Sequence, residues 1–426
     1  MHELIVSVVQ GEHLAVRAGS RKGVKIPRAR FAELQHAVAS GETIPGWLTG
    51  AARASWDIDL SGRLAAGALL VRAPAPYGYS RATWEINLGC DFECEHCYLG
   101  EKKFAGLDWQ GKKRLLRIMR DAGVLWLQIT GGEPLIDPHF PDAYVLAYEL
   151  GMLTEILSNG SRLWHPTILD LLTTYRPTRI SLSVYGASVR TYDGLTRRKG
   201  AFKRFARGLD AALAAGLNID LSLVITNRNA HEQEGMRAWA EQLGLPYREY
   251  ANMSPTIYGG SESLPSQSPE HLTQRAPFTG CPAGHTFFHA DPHGRASICK
   301  VGRDRQIDLM ADGVEGLSRL GGIADSLMLR TRGCSGCQLS GSCRVCRPLA
   351  KLFQEAKAPL INYCQHGQPK EKVRHDHCHG RAHADARGGR LRGGCAHRRP
   401  GRLHQCHTAG LQRRQPVHLA PALGRP

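Results

Sequence analysis

Hydrophobic and polar residues follow a repeating pattern between Ala82 and Ala251. Six short segments rich in β-branched, leucine and aromatic residues have the length of β-strands, and helical segments such as 109–123 and 201–216 separate several of them. The strand segments read ATWEINL, VLWLQIT, LTEIL, RISLSV, NIDLSLVI and YREYANM. This alternation predicts an α/β domain over 82–251 with a parallel sheet, either barrel-shaped or open. Ligands of such sheets bind in the loops after the strands.

The pattern before this domain is different. Residues 1–75 predict a small α+β module with two strands, two helices and a final hairpin. These elements are placed at ELIVSVVQ, EHLAVRAG, RARFAELQHAVAS, GWLTGAARAS and LSGRLAAGALLVRAP. Two interpretations stay open: a winged-helix-like module that grips a peptide, or a cap on the next domain.

Three further regions follow the α/β domain. Residues 252–280 are rich in Ser, Pro and Gly and predict a linker. Residues 281–366 are dense in cysteine and too poor in apolar periodicity to fold without metal. The segment 369–426 has no Ile, Phe, Trp, Tyr, Met or Ser, so it cannot build a core. It is interpreted as a disordered basic extension, a His/Cys metal tract or an out-of-frame translation, and no function is assigned to it.

Composition limits the protein classes that fit. A chain of 426 residues, 42% of them hydrophobic, has room for two or three domains. The formal charge is +17, but 369–426 supplies +10 of it with 13 Lys and Arg against 3 Asp and Glu, which argues against nucleic-acid binding. No secretory signal or membrane-spanning segment is found, so the cytoplasm is the expected location. Thiols stay reduced there, and the thirteen cysteines are interpreted as metal ligands or catalytic groups.

Three of these cysteines lie in one short loop. Cys90, Cys94 and Cys97, in GCDFECEHCYLG, come directly after the strand segment TWEINL. Three thiolates can hold three corners of an iron–sulfur cube and leave the fourth iron open for catalysis. The alternative is a structural zinc knuckle that takes a fourth ligand, such as His96.

A second motif follows the next strand, in QITGGEPL. Gly131 and Gly132 let the backbone approach a small ligand closely, Glu133 offers a carboxylate, and Pro134 fixes the turn. This combination suits an amino group. Taken alone, the motif is more typical of an ordinary turn between a strand and a helix.

Together, CDFECEHCY and GGEP resemble the radical S-adenosylmethionine (radical SAM) superfamily. The resemblance implies a partial (β/α)6 barrel in which Cys90, Cys94 and Cys97 hold a 4Fe-4S cluster. It also implies that Gly131, Gly132 and Glu133 bind the SAM amino group. Reduction of the bound SAM then yields a 5'-deoxyadenosyl radical, which takes a hydrogen atom from the substrate. Weaker matches imply further SAM contacts at Tyr98, Ser158, Asn159, Ser183 and Arg198, with Arg197 as an alternative to Arg198.

The later cysteines form a second pattern. Their order resembles the SPASM extension of radical SAM enzymes, which carries two auxiliary 4Fe-4S clusters. The resemblance assigns one set of four ligands to the first auxiliary cluster and the other three cysteines to the second, which lacks a clear fourth thiol. The two sets are Cys334, Cys337, Cys343 and Cys364, and Cys281, Cys299 and Cys346. The alternative is a pair of structural zinc ions.

The resemblance predicts an enzyme that modifies a side chain of a ribosomally made peptide, with a precursor peptide and a reductase, flavodoxin or ferredoxin as partners. Asp291, in HADPHG, is a candidate to take a proton, although a turn-capping aspartate also fits. The alternatives are a sulfatase-type or small-molecule cofactor maturase on the same scaffold, and a zinc-stabilised nucleic-acid-binding protein.

Overall fold

A computed structural model describes residues 1–273, 277–327, 338–341 and 343–366 of the chain. The segment 369–426 lies outside the described residues, and so do Cys334 and Cys337. No helix in the described part of the chain is long and apolar enough to cross a lipid bilayer.

The N-terminal module is a four-stranded sheet covered by helices. Its strands lie in the order β3-β2-β1-β4, with β1 antiparallel to β2 and parallel to β4. The helices α1 and α2 pack their apolar residues, Phe31, Leu34 and Leu48 among them, on this sheet. The elements are β1 (Leu4–Val9), β2 (Glu12–Val16), β3 (Gly23–Ile26), α1 (Arg28–Ser40), α2 (Gly46–Trp56), α3 (Ala65–Ala68) and β4 (Leu69–Val71).

The predicted hairpin at the end of this module is wrong. The alanine-rich stretch Ala65–Ala68 forms a helical turn, and Leu69–Val71 then runs parallel to β1 instead of folding back on its own neighbour. Alanine favours helix over strand, and the following apolar residues find their hydrogen-bonding partner in the first strand of the chain.

The central domain contains the six predicted parallel strands. Neighbouring strands of the sheet follow one another in the sequence. The helices that connect them pack against the sheet. In β8, Ile180, Leu182 and Val184 are buried in alternation, as the period of a strand requires. The elements are β5 (Arg81–Glu85), α4 (Trp109–Asp121), β6 (Trp126–Thr130), α5 (Phe140–Glu149), β7 (Leu153–Ser158), α6 (Pro166–Thr174), β8 (Arg179–Val184), α7 (Val189–Thr196), α8 (Ala201–Ala214), β9 (Ile219–Val224), α9 (Gln233–Gln242) and β10 (Tyr247–Tyr250).

The cysteine-dense segment continues the same sheet. Its first strand pairs in parallel with β5, and two antiparallel strands follow, which gives the order β10-β9-β8-β7-β6-β5-β11-β12-β13. Phe288 and Ala290 are buried in the core of the central domain. The described elements of this segment are β11 (Phe287–Ala290), β12 (Arg295–Ser297), β13 (Ile307–Asp308), α10 (Leu309–Asp312), α11 (Leu320–Leu327) and α12 (Arg347–Glu355).

The segment predicted as a linker packs on the domain. Ile257 N–H donates to the carbonyl of Tyr98, and Tyr258 N–H donates to that of Leu99. Ser263 is fully buried, and Ser266 nearly so. Ile257 and Tyr258 therefore hold this segment against the loop that follows β5, which contains the three-cysteine motif.

Candidate active site

The three-cysteine loop begins where β5 ends. Cys90, Cys94 and Cys97 are partly buried, and Phe92, between the first two, is fully buried. Burial raises the pKa of Cys90 to about 12 and that of Cys94 well above its ordinary value. These thiols therefore lose their protons at neutral pH only when a positive group such as iron binds them.

The two glycines of the second motif bring its loop against the cysteine loop. Gly132 N–H donates to the carbonyl of Asn87 at 3.0 Å, and Glu133 N–H donates to that of Gly89 at 2.8 Å. A Cβ on Gly131 would lie 2.3 Å from the Asn87 oxygen, and one on Gly132 would lie 2.0 Å from the Gly89 oxygen. Only glycine fits at these two positions.

Glu133 ties three strand ends together. Its fully buried carboxylate accepts hydrogen bonds from Leu135 N at 3.0 Å, Ser158 Oγ at 2.8 Å and Asn159 N at 2.6 Å. Burial raises the pKa of this carboxyl group to about 8. Asn159 Nδ2 donates in turn to Asp91 Oδ1 at 2.8 Å, in the cysteine loop. The loops after β5, β6 and β7 thus form one connected unit.

A buried ion pair anchors the chain just beyond Glu133. Lys112, on α4, places its Nζ 2.7 Å from both carboxylate oxygens of Asp137, and both side chains are 4% exposed. Asn87 Nδ2 donates to the same carboxylate at 3.1 Å. The pair therefore holds the start of the cysteine loop and the end of the glycine loop together.

We expect Lys112→Met to lower the free energy of unfolding by about 3 kcal/mol, because it leaves Asp137 buried without its cation. Urea unfolding followed by circular dichroism measures the change. Arg114→Met, an exposed position on the same helix, is the matched control and should stay within about 0.5 kcal/mol of the wild type. An equal free energy of unfolding for the two variants would show that the ion pair does not anchor the loops.

One cavity of about 230 Å³ joins the predicted groups. Most of the site residues predicted for the first cluster and for SAM line it, and they are Cys90, Cys94, Cys97, Tyr98, Gly131, Gly132, Ser158, Asn159 and Ser183. A larger cavity of about 1070 Å³ lies beside the N-terminal module, but none of the described cysteines lines it. The smaller cavity is therefore the candidate active site.

Three predicted residues lie elsewhere. Glu133 faces the loops that it connects, and Arg198 is exposed beside Arg197, which pairs with Glu95. Asp291 caps the turn between β11 and β12, where its Oδ1 accepts from the N–H groups of His293 and Arg295, both at 2.9 Å. The roles predicted for Glu133 and Arg198 in SAM binding, and for Asp291 in proton transfer, stay predictions.

Sequence reasoning did not assign several other residues of the cavity wall, among them Lys102, Tyr185 and Lys300, and it named His96 only as a fourth ligand of the zinc alternative. The His96 ring lies 5.2 Å from that of Tyr185, and its buried Nδ1 has no hydrogen-bonding partner among the residues that the structure describes. Burial lowers the pKa of His96 to about 4. In the described part of the chain, no three His, Cys, Asp or Glu side chains converge as they would around a single metal ion.

A buried charge network lies behind the cavity. Glu85, fully buried at the end of β5, accepts hydrogen bonds from Tyr98 at 3.1 Å, Tyr258 at 2.7 Å and Arg303 at 2.9 Å. His289 lies 3.6 Å from the same carboxylate. These residues come from the cysteine loop, the 252–280 segment and the cysteine-dense segment, which the network therefore connects.

The charges of this network can be assigned. Burial raises the pKa of Glu85, but the hydrogen bond to His289 and the charge of Arg303 outweigh it and hold the pKa well below its usual range. Burial lowers the pKa of His289, which leaves that ring neutral. Arg303 is therefore the cation that balances Glu85.

The second group of cysteines is described only in part. Burial raises the pKa of Cys299, and the neighbouring Cys346 and Cys281 raise it further. Cys343 and Cys364 are described as well, but Cys334 and Cys337 lie outside the described residues, and the ligand sets stay predictions.

The fold and the site together define the class to which this protein belongs. It is a partial parallel barrel that carries a three-thiol cavity at the carboxyl ends of its strands. Residues 84–240 match the Radical SAM superfamily, and they form a radical SAM domain.

Two relatives with assigned roles illustrate the similarity. AdoMet-dependent heme synthase of Methanosarcina barkeri is 27% identical over 179 residues, which are 41% of this chain and 51% of that protein. Mycofactocin maturase MftC of Mycobacterium tuberculosis is 26% identical over 250 residues, which are 52% of this chain and 60% of that protein. The chain thus spans between half and three fifths of these relatives.

The fold is also that of a solved structure described as native anSMEcpe with bound AdoMet and Cp18Cys peptide. It is 11% identical, has a TM-score of 0.50, and aligns over 62% of this chain and 88% of the other.

Proposed function

We propose that the protein is a radical SAM enzyme that modifies a side chain of a ribosomally made peptide. The observation that carries this proposal is that Cys90, Cys94 and Cys97 share one cavity with the close-packed Gly131 and Gly132. The residues fit the expected groups, because three thiols open on one space that glycine backbone, hydroxyl and amide groups also line. When bound there, a 4Fe-4S cluster and SAM supply a 5'-deoxyadenosyl radical that takes a hydrogen atom from the substrate.

The residues of this chain would bind and orient the cluster and SAM. The three cysteines would hold the cluster and leave one iron open, and the backbone of Gly131 and Gly132 would lie against the methionine end of SAM. Ser158, Asn159, Ser183 and Tyr98 offer hydroxyl and amide groups to the rest of the cofactor. Phe92, buried under the cysteine loop, helps to keep water away from the thiols.

The peptide substrate is supported by the names of several relatives and by the N-terminal module. Mycofactocin maturase, a subtilosin biosynthesis protein of Bacillus subtilis and PqqA peptide cyclase of Granulibacter bethesdensis are among the similar proteins. Strand β3 lies at an edge of the module's sheet, where an extended peptide can add as a further strand. We propose that this module captures the precursor peptide.

The auxiliary clusters would be held by the second group of cysteines in a SPASM domain over 281–366. Cys281, Cys299 and Cys346 would supply one cluster, which would then have an open position. In this proposal the enzyme works in the cytoplasm, and a reductase, flavodoxin or ferredoxin delivers the electron. A second candidate function, maturation of a small-molecule cofactor, is favoured by the similarity to the heme synthase.

Anaerobic co-expression with each short open reading frame beside its gene tests the proposal. We expect one peptide to change in mass with the wild-type enzyme and to stay unchanged with Cys94→Ala. SAM cleavage that modifies a porphyrin and none of the peptides would overturn the peptide assignment in favour of the second candidate.

A further inference from the structure

A strongly basic surface lies beside the three-cysteine loop, where α7 ends and α8 begins. Between Gly194 and Leu209 the sequence contains six Lys and Arg and no Asp or Glu. We call these six residues the basic patch, and they are Arg197, Arg198, Lys199, Lys203, Arg204 and Arg207. Arg204 is partly buried and the other five are exposed, so the patch concentrates positive charge on a small part of the surface.

Two members of the patch contact the cysteine loop directly. Arg197 Nη2 lies 3.1 Å from Glu95 Oε2, and Arg204 Nη1 lies 3.8 Å from Asp91 Oδ2. The guanidinium of Arg204 also lies over the Phe92 ring, 5.5 Å from its centroid. These contacts hold the patch against the loop that carries the three thiols.

The cysteine loop reaches the surface at this place. Glu93, which directly precedes Cys94, is exposed, and its N–H donates to the carbonyl of Thr196 at 2.9 Å. No residue of the patch lines the candidate active-site cavity. A substrate has to enter that cavity, but an electron only has to reach the thiols that would hold the cluster. The position of the patch therefore favours an electron donor over a substrate as its partner.

The other four members of the patch are not neutralised. They make no ion pair with any residue that the structure describes, and they are Arg198, Lys199, Lys203 and Arg207. They do not stabilise α8 either, because its first turn has no acidic residue and cations near the start of a helix are unfavourable. Asp193, which precedes the patch, accepts hydrogen bonds from Gly200 N at 2.6 Å and Phe202 N at 2.9 Å and so fixes the turn.

We propose that the basic patch docks the electron donor, and that this donor is a small acidic one-electron carrier protein. The inference rests on the proposed function, since it names the surface that its donor uses. Opposite charges accelerate the encounter of two proteins and fix their register. Each SAM that is cleaved takes one electron from the carrier, and its C–S bond breaks to give methionine and the 5'-deoxyadenosyl radical.

An acidic flavodoxin, kept reduced by NADPH and its reductase, is the probe. We expect Lys199→Glu/Lys203→Glu to lower flavodoxin-driven formation of 5'-deoxyadenosine about tenfold or more at low salt, because charge steering changes association rates by about 10- to 1,000-fold. The Kd of flavodoxin for the full chain, measured by surface plasmon resonance, should rise by a similar factor. With dithionite, a small reductant that needs no docking surface, the variant should cleave SAM at the wild-type rate.

Two further variants separate the position of the charge from its amount. Lys199→Arg/Lys203→Arg keeps both charges and should behave as the wild type does. Arg114→Glu/Arg117→Glu, at exposed positions of α4, is the matched control, because it changes the net charge by the same amount at another place. It should also retain the wild-type rate with flavodoxin.

Equal flavodoxin-driven rates and equal Kd values for the wild type and Lys199→Glu/Lys203→Glu would overturn the inference. If duplex DNA bound the wild type but not this variant, and flavodoxin-driven cleavage stayed the same, the patch would be assigned to nucleic acid instead. A wild type that cleaves SAM with dithionite but with neither flavodoxin nor ferredoxin would also contradict the docking surface. Failure with dithionite as well would contradict the proposed function itself.

Discussion

Cys94→Ala should abolish the dithionite-dependent cleavage of SAM by the anaerobically reconstituted protein. Cys94 lines the cavity between the other two thiols of its loop, and an alanine offers no ligand to iron. Loss of a residue that only supports a metal ligand often lowers activity by about 10- to 100-fold, so loss of a ligand should exceed about 100-fold. Formation of 5'-deoxyadenosine, measured by chromatography, gives the rate.

The same variant should keep the iron of the auxiliary clusters, because Cys281, Cys299 and Cys346 lie on another segment. Iron per chain should therefore fall by about four atoms and not to zero. Cys378→Ala is the matched control for the loss of one thiol, since we assign no function to 369–426, and it should cleave SAM as the wild type does. Cleavage at the wild-type rate by Cys94→Ala would contradict the assignment of the loop.

Gly132→Ala should have the next largest effect on activity. The added Cβ would lie 2.0 Å from the Gly89 oxygen and 2.7 Å from the Leu88 oxygen, and both are backbone atoms of the cysteine loop. The two loops must therefore move apart. A misplacement of about 1 Å can cost about 100-fold in rate, and we expect SAM cleavage to fall by that order.

Gly194→Ala is the matched control for this substitution. Gly194 lies within α7, has an ordinary helical backbone, and would bring its new Cβ within 4 Å of nothing. We expect this variant to cleave SAM at the wild-type rate. Its free energy of unfolding should rise by about 0.5–1 kcal/mol, because alanine favours the helix more than glycine does. Wild-type cleavage by Gly132→Ala would show that the close contact of the two loops is not needed for the site.

Sequence periodicity predicted what depends on near neighbours along the chain. The six strands of the central domain and the helices α4 and α8 were found where their apolar residues recur. The three cysteines and the glycine pair were recognisable because each motif is short and contiguous. Their meeting in one cavity follows from a general rule, since parallel strands bring their carboxyl ends to one edge of a sheet.

Contacts between distant segments were not predictable in this way. Strand β11 pairs with β5, about 200 residues earlier in the sequence. The four residues 287–290, Phe-Phe-His-Ala, predict a short apolar strand at most and do not specify which strand it pairs with. The sequence pattern predicts the short β4 as part of a hairpin, because its parallel partner, β1, is distant along the sequence and is not its neighbour there. Lys300 and Glu85 were missed for the same reason, because their significance lies in contacts with residues of other segments.

The most direct test is to measure iron and sulfide per chain after anaerobic reconstitution, together with dithionite-dependent formation of 5'-deoxyadenosine from SAM. We predict about twelve irons per chain, four for each of three clusters, and deoxyadenosine that depends on the reductant. Bound zinc with no cleavage of SAM would contradict the central claim and would make the three-cysteine loop a structural metal site.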